Sequence, residues 1–244
     1  MSAALRFACT GCGKCCTGHH VPLTLGEARQ WAQAGGQVIV LIEGFVPDGP
    51  GMPVEQREHA LRRSLGVPCG TGEVQVAVTF AAFNPGRCMH LDAADLCTIY
   101  ETRPLVCRIY PMEINPHIPL RPEAKDCPQE AWEQGPVLIH GQVAADPALR
   151  ALIEASRQAD RDDIGAKVAV CERLGMTVSA LKGNGFTAWL PDMTAFAHAL
   201  DHPLSGSAQA WQVHVEEPKL AEAAGTYGLH VTAQTPEYYT FIGF

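Results

Sequence analysis

The stretch Phe7–His20 reads FACTGCGKCCTGHH. Cys9, Cys12, Cys15 and Cys16 fall within eight positions, and His19 and His20 follow at once. A two-residue gap lets a tight turn present two sulfurs to one metal centre, and Gly11 and Gly13 suit a loop that wraps its backbone around such a centre. Three cysteines so spaced are what a cubane iron–sulfur cluster takes from one loop, with a fourth ligand from elsewhere. Tetrahedral zinc uses the same short turn but takes two cysteines from each of two loops. Adjacent side chains usually diverge. Cys15 and Cys16 therefore read as one ligand and one spare thiol, or as ligands of two neighbouring centres. The plain alternative is that one of them packs in the core.

The chain has ten cysteines. Cys88, Cys97 and Cys107 lie in GRCMHLDAADLCTIYETRPLVCRIYP, and Cys127 in KDCPQE. Their long gaps are unlike the paired turns of zinc ribbons, and the Cys127–Pro128 pair matches the C-P ending of ferredoxin runs. In chain order this makes two groups of four, Cys9/Cys12/Cys15/Cys16 and Cys88/Cys97/Cys107/Cys127, enough for two four-coordinate sites. Cys171 shares a helical face with Ile164 and Val168 and is expected in the core. Cys69 lies in the turn VPCGTG and is assigned no role.

CTGCGKCC, CMHLDAADLCTIYETRPLVCRIYP and DCP together resemble the YkgJ-like CxxCxxCC cysteine-cluster family, bacterial proteins described as zinc- or iron-chelating domains. The most specific mark is Arg103, Pro104, Cys107, Arg108, Tyr110 and Pro111. The resemblance covers roughly residues 9–130. It implies metal binding by the eight clustered cysteines. That family is distantly similar to flagellin lysine N-methylases, which pair an iron–sulfur cluster with methyl transfer from S-adenosylmethionine. The opening spacing here departs from theirs. The radical-SAM pattern is also missing, because His19 stands where its third cysteine would be. No Walker loop, GxGxxG or nucleophile elbow occurs, and Lys182–Gly185 reads as a turn.

Composition bounds the rest. The 244 residues carry 18 Lys and Arg against 26 Asp and Glu, a formal net charge of −8. This balance argues against nucleic acid or an anionic membrane as the main partner. The densest apolar runs, such as VIVLIEGF, fall short of the roughly 20 residues that a membrane helix needs. Residues 1–8 carry no basic segment and no long apolar core. The expected compartment is the reducing cytoplasm, where clustered cysteines bind metals or catalyse rather than form disulfides.

Around the cysteines, Arg103, Arg108 and Tyr110 are the candidate cofactor-binding side chains. The arginines would compensate a thiolate-rich centre or capture an acidic substrate group, against the alternative of surface pairs with Glu101 or Glu113. Tyr100 and Tyr110 read as packing residues of a lid over the cluster. His19, His20 and His90 are candidate ligands or proton relays. Glu101 and Asp126 are acid–base candidates without a paired nucleophile. Three functions fit these residues. One is a metal-binding protein holding a 4Fe–4S cluster, favoured here, or zinc. The second is a cluster-dependent, methyltransferase-like enzyme with a protein substrate. The third is a metal trafficking or storage protein.

The expected architecture is α+β: a loop-rich cysteine region packed with helices and a small mixed sheet. Residues 1–135 form the metal-binding domain and 136–244 an αβ extension packed on it as one unit. Thr24 caps a first helix with Glu27 at N3, ended by Gly35 and Gly36. A second runs over 54–66, and EVQVAVTFAAF is a strand. PVLIHGQV is a short strand. A long helix starts at Asp146–Pro147, with an interruption near 162–165. WLPDMTAFAHAL is a further helix, and QAWQVHVEE and YYTFIGF are late strands.

Overall fold

The computed structural model describes residues 4–49, 52–141, 143–202, 210–233 and 237–243. Gln209 and Phe244, the outer ends of the two late strands read from sequence, lie outside them. The fold is α+β, and its contacts divide the chain into two compact units. One comprises Met1–Val21 and Phe83–Ala159, the other Pro22–Ala82 and Asp160–Phe244. The division differs from the boundary at 135/136 read from composition. Residues 22–82 leave the cysteine region because their strands complete a sheet whose other strands come from the C-terminal half.

The first unit holds little regular structure. β1 (Leu5–Arg6) leads into the cysteine loop, in which Lys14–Cys16 form one 3₁₀ turn. The elements of the other unit follow in the chain: β2 (Val21–Leu23), α1 (Leu25–Gln33), β3 (Val38–Phe45), α2 (Val54–Arg62), β4 (Leu65–Cys69) and β5 (Gly72–Ala82). The first unit then resumes with two short helices, α3 (Leu105–Ile109) and α4 (Glu130–Glu133), and the strands β6 (Val137–His140) and β7 (Val143–Ala144). β1, β6 and β7 make a small antiparallel sheet. Ile109, Ala144 and Ile153 form its buried cluster.

α5 (Pro147–Arg173) runs 27 residues without a break. The interruption expected near 162–165 is absent because Ile164, Val168 and Cys171 keep one face buried through that segment. Asp146 opens the helix as read, accepting the Ala148 N–H at 2.9 Å. β8 (Val178–Leu181), β9 (Gly185–Trp189), α6 (Met193–Asp201), β10 (Gln212–His214), α7 (Pro218–Thr226), β11 (Val231–Thr232) and β12 (Thr240–Gly243) complete the chain.

The second unit is built on a nine-stranded mixed sheet ordered β11-β10-β8-β3-β5-β2, with β4, β9 and β12 attached. It is larger than the sheet expected from sequence. β3 is its central strand, and VIVLIEGF is apolar nearly throughout because both faces are covered. One edge of β3 pairs with β5 along its whole length, and the other meets β9 and then β8. Glu43 sits inside that run because Lys182 reaches its Oε1 at 2.8 Å. Gly44 is required where β8 approaches, since a Cβ there would lie 2.6 Å from Ser179 Oγ.

α1 carries the expected capping box: Glu27 N–H donates to Thr24 Oγ1 at 3.2 Å, and Thr24 N–H to Glu27 Oε2 at 2.9 Å. α2 ends at Arg62 rather than Gly66, because Leu65–Cys69 pair as a hairpin with β5. The helix over 189–200 begins later, at Met193, because Trp189 belongs to β9. Cys171 and Cys69 are fully buried in this unit, as core residues are. No helix among the described residues is long and apolar enough to cross a membrane.

Candidate metal centre

All eight clustered cysteines lie in the first unit, on four segments. The loop Cys9–Cys16 is anchored at its start by backbone bonds. Phe7 N–H donates to Pro136 O at 3.2 Å and Ala8 N–H to Ala131 O at 2.8 Å. Phe7 also packs against Trp132 and edge-on to Tyr110, with centroids 4.9 and 6.4 Å away. The Tyr110 hydroxyl lies 3.3 Å from the Cys127 sulfur. Cys9 is therefore held beside Cys127, more than a hundred residues away in the chain.

The end of the loop is tied elsewhere. Cys88 N–H donates to Cys16 O at 2.8 Å, and Thr17 bridges Arg87. Residues 88–98 fold back on themselves: Leu91 bridges Cys97, and Thr98 N–H donates to His90 O at 2.8 Å. Asp92 closes the tip by accepting the N–H groups of Ala94 and Leu96 at 2.8 and 3.0 Å. Arg87 pins the tip, donating to Asp95 Oδ1 at 2.5 Å and to Leu91 O at 3.3 Å. Gly13, with φ 68°, lies against that tip. Cys107 comes from α3, which starts after Pro104.

The sulfurs of Cys15 and Cys16 lie 3.8 Å apart. Their contact pushes the Cys15 thiol up, helped by burial and by the charges of Cys9 and Cys127. The same contact pulls Cys16 down to about 6, with Arg103 and His19 adding positive charge. Burial pushes Cys107 up to about 12, with further push from Cys16, Cys88 and Cys97, opposed by Arg103. Burial likewise raises Cys88 against a hydrogen bond from the His90 N–H, and Cys16 and Cys97 act in the same sense. It also raises Cys127, on which Cys12, Cys9 and Asp126 act. Crowded thiols resist ionising together, and a bound cation relieves that repulsion.

The other candidates divide. The Arg103 guanidinium lies 3.7 Å above the Tyr100 ring, and its buried Nε has no hydrogen-bond partner. Arg108 is exposed on α3 and is not among the charges acting on Cys16 or Cys107. Glu113 pairs with Lys125 at 2.5 Å instead of with either arginine. His19 pairs with Asp126 at 2.5 Å on the surface. His20 stacks on Phe83 and accepts the Asn84 N–H at Nδ1, so that nitrogen is committed. Sequence reading missed the His19–Asp126 pair, the Asp92–Asp95 tip and the Phe7 anchor. Each arises from residues distant in the chain or from a turn that no cysteine spacing reveals.

All ten cysteines are free thiols. Among the described residues, no three His, Cys, Asp or Glu side chains already close on a single ion. The sulfurs are gathered without being clamped, and metal–ligand bonds are what complete such a site. The donor chemistry suits a soft or borderline metal: many thiols, one half-buried cationic side chain whose buried Nε is unpaired, and a backbone N–H on a sulfur. Neither curated proteins nor solved structures offer a match to the chain. Residues 8–128 match the CxxCxxCC family, described as "Putative zinc- or iron-chelating domain", and this stretch of the chain belongs to that family.

Proposed function

We propose that this chain is a cytosolic metal protein whose clustered cysteines, Cys9, Cys12, Cys15, Cys16, Cys88, Cys97, Cys107 and Cys127, hold iron–sulfur of the 4Fe–4S kind, with zinc as the competing occupant. The observation that carries the reading is Arg103. Its charge acts on Cys16 and Cys107, and its buried Nε is unpaired. A cluster bearing four thiolates is anionic and takes up such a donor. The C-x2-C-x2-C run supplies three corners of one cubane. Tyr110 supports the same reading from the other side, with its hydroxyl on the Cys127 sulfur. Arg108, one residue beyond Cys107, faces solvent and leaves charge compensation to Arg103.

Such a cluster supplies one-electron transfer when bound, and zinc would supply a fixed cross-link. The protein's own part is to gather the sulfurs, hold Arg103 among them and limit water around Cys107. The test is isolation without oxygen, followed by the visible spectrum and by iron, acid-labile sulfide and zinc analysis. Brown protein with matched iron and sulfide is the expected result. Colourless protein with stoichiometric zinc and no sulfide decides for zinc.

A further inference from the structure

We propose that the eight cysteines form two separate centres that cross the chain-order grouping: Cys9, Cys12, Cys15 and Cys127 in one, and Cys16, Cys88, Cys97 and Cys107 in the other. The chain then passes from one centre to the next between the neighbours Cys15 and Cys16. The inference rests on the metal-binding reading above and assigns its membership.

Backbone geometry carries it. The start of the loop is fastened to the segment that follows Cys127, through Ala8 on Ala131 and through Phe7 on Trp132 and Tyr110. Tyr110 in turn touches the Cys127 sulfur. The end of the loop is fastened to the other segment, by Cys88 N–H on Cys16 O and by Thr17 on Arg87. Cys97 is folded back towards Cys88 by its bridge with Leu91. The electrostatic surroundings follow the same division except at the junction, where adjacent Cys16 acts most on Cys15 through their direct contact. Beyond that neighbour, Cys9 and Cys127 act on Cys15, and the thiols acting on Cys127 are Cys12 and Cys9. Those acting on Cys107 are Cys16, Cys88 and Cys97.

Each set thus unites one end of the loop with a distant segment. Neither is complete in the loop alone, which explains why four cysteines in eight positions do not make one site. The two adjacent residues diverge to different centres while their sulfurs stay 3.8 Å apart. Arg103 belongs to the second centre and Tyr110 to the first.

The test uses the full chain, freed of metal and reloaded with cadmium-113, a soft ion that takes four thiolates. Two resonances from two bound ions are expected. Cys12→Ser and Cys127→Ser should remove or shift the same resonance. Cys16→Ser and Cys97→Ser should remove or shift the other. The surviving resonance reports that each variant is folded. Alkylation and mass spectrometry of half-loaded wild-type chain should release the same two sets without any substitution. A Cys127→Ser variant that behaves like Cys97→Ser, or a Cys16→Ser variant that behaves like Cys12→Ser, overturns the partition. So does a single ion per chain, or loss of both resonances in one variant. In those cases bound cadmium leaves the metal-binding reading standing. A wild-type chain that carries no iron or zinc as isolated and takes up no cadmium overturns both.

Discussion

A Cβ added at Gly13 would lie 2.9 Å from the Cβ of Asp95, because the cysteine loop rests directly on the tip of the Cys88–Cys97 segment. Gly13 also has φ 68°, a left-handed conformation that costs an L-residue about 1–2 kcal/mol. Gly13→Ala should therefore push the two loops apart and weaken metal retention about tenfold or more, since about 1.4 kcal/mol is a factor of ten. Gly18 is the control. It has φ 73° but no atom within 4 Å of a built Cβ, so Gly18→Ala carries the backbone cost alone. Chelator competition on both variants measures the difference, and equal retention would refute the loop contact as the cause.

Metal removal should loosen the first unit before the second. Between Asn84 and Glu133 the longest helix is the five residues of α3, and few apolar side chains are buried there. Ordering such a segment costs roughly 1–2 kcal/mol of backbone entropy per residue, which its small core does little to offset. Ligation couples that ordering to the metal. Limited proteolysis after chelation is expected to cut within 84–130 while the 160–173 half of α5 stays whole. An unchanged cleavage pattern with and without metal would count against the coupling.

How much of this could be read beforehand follows the range of the interactions. The α1 capping box is a four-residue pattern, and both its hydrogen bonds are found. The buried face of Ile164, Val168 and Cys171 is a helical repeat, equally local. The end of α2 was misread because Gly66 stops a helix only if nothing else claims it, and β5 claims it as a strand partner. The division by contacts follows pairings of the same long range: β3 and β5 pair with each other, and β3 also pairs with β8 and β9 from the far end of the chain. At the site, cysteine spacing marks eight cysteines as candidates only. It could not reveal their company, which depends on Cys16 meeting Cys88 and on Phe7 meeting Tyr110.

Cys69 and Cys171, fully buried in the second unit, stand apart from the eight proposed ligands. Cys171 is fully buried on α5, and burial pushes its thiol up, so it stays protonated and unreactive at neutral pH. Cys12 is exposed in the loop. Cys171→Ala should leave metal content unchanged and cost about 1 kcal/mol through the small cavity it opens. Cys12→Ala should lose much of the metal. Metal analysis and thermal unfolding of both variants check this, and similar metal loss in the two would refute the division.

Arg103 offers the most direct test of how the protein stabilises its centre. Its guanidinium lies over the Tyr100 ring, a contact that depends on the cationic head. Arg103→Met keeps the stem and removes the charge and the unpaired Nε donor. Arg103→Lys keeps the charge on a flexible stem without the planar fork. The charge acts on Cys16 and Cys107, in each case favouring the thiolate. Partners that orient and charge-compensate ligands are worth about 10–100-fold in metal affinity. Arg103→Met is expected to lose metal to a chelator in that range, and Arg103→Lys to retain most of it. The occupant adds a second readout. Reducing an iron–sulfur cluster adds negative charge, so removing a neighbouring cation disfavours the reduced form and should lower the reduction potential. Zinc, which does not change oxidation state, would register only the affinity loss. Circular dichroism of the two variants should match the parent. A methionine variant that holds metal as tightly as the parent would remove Arg103 from the site.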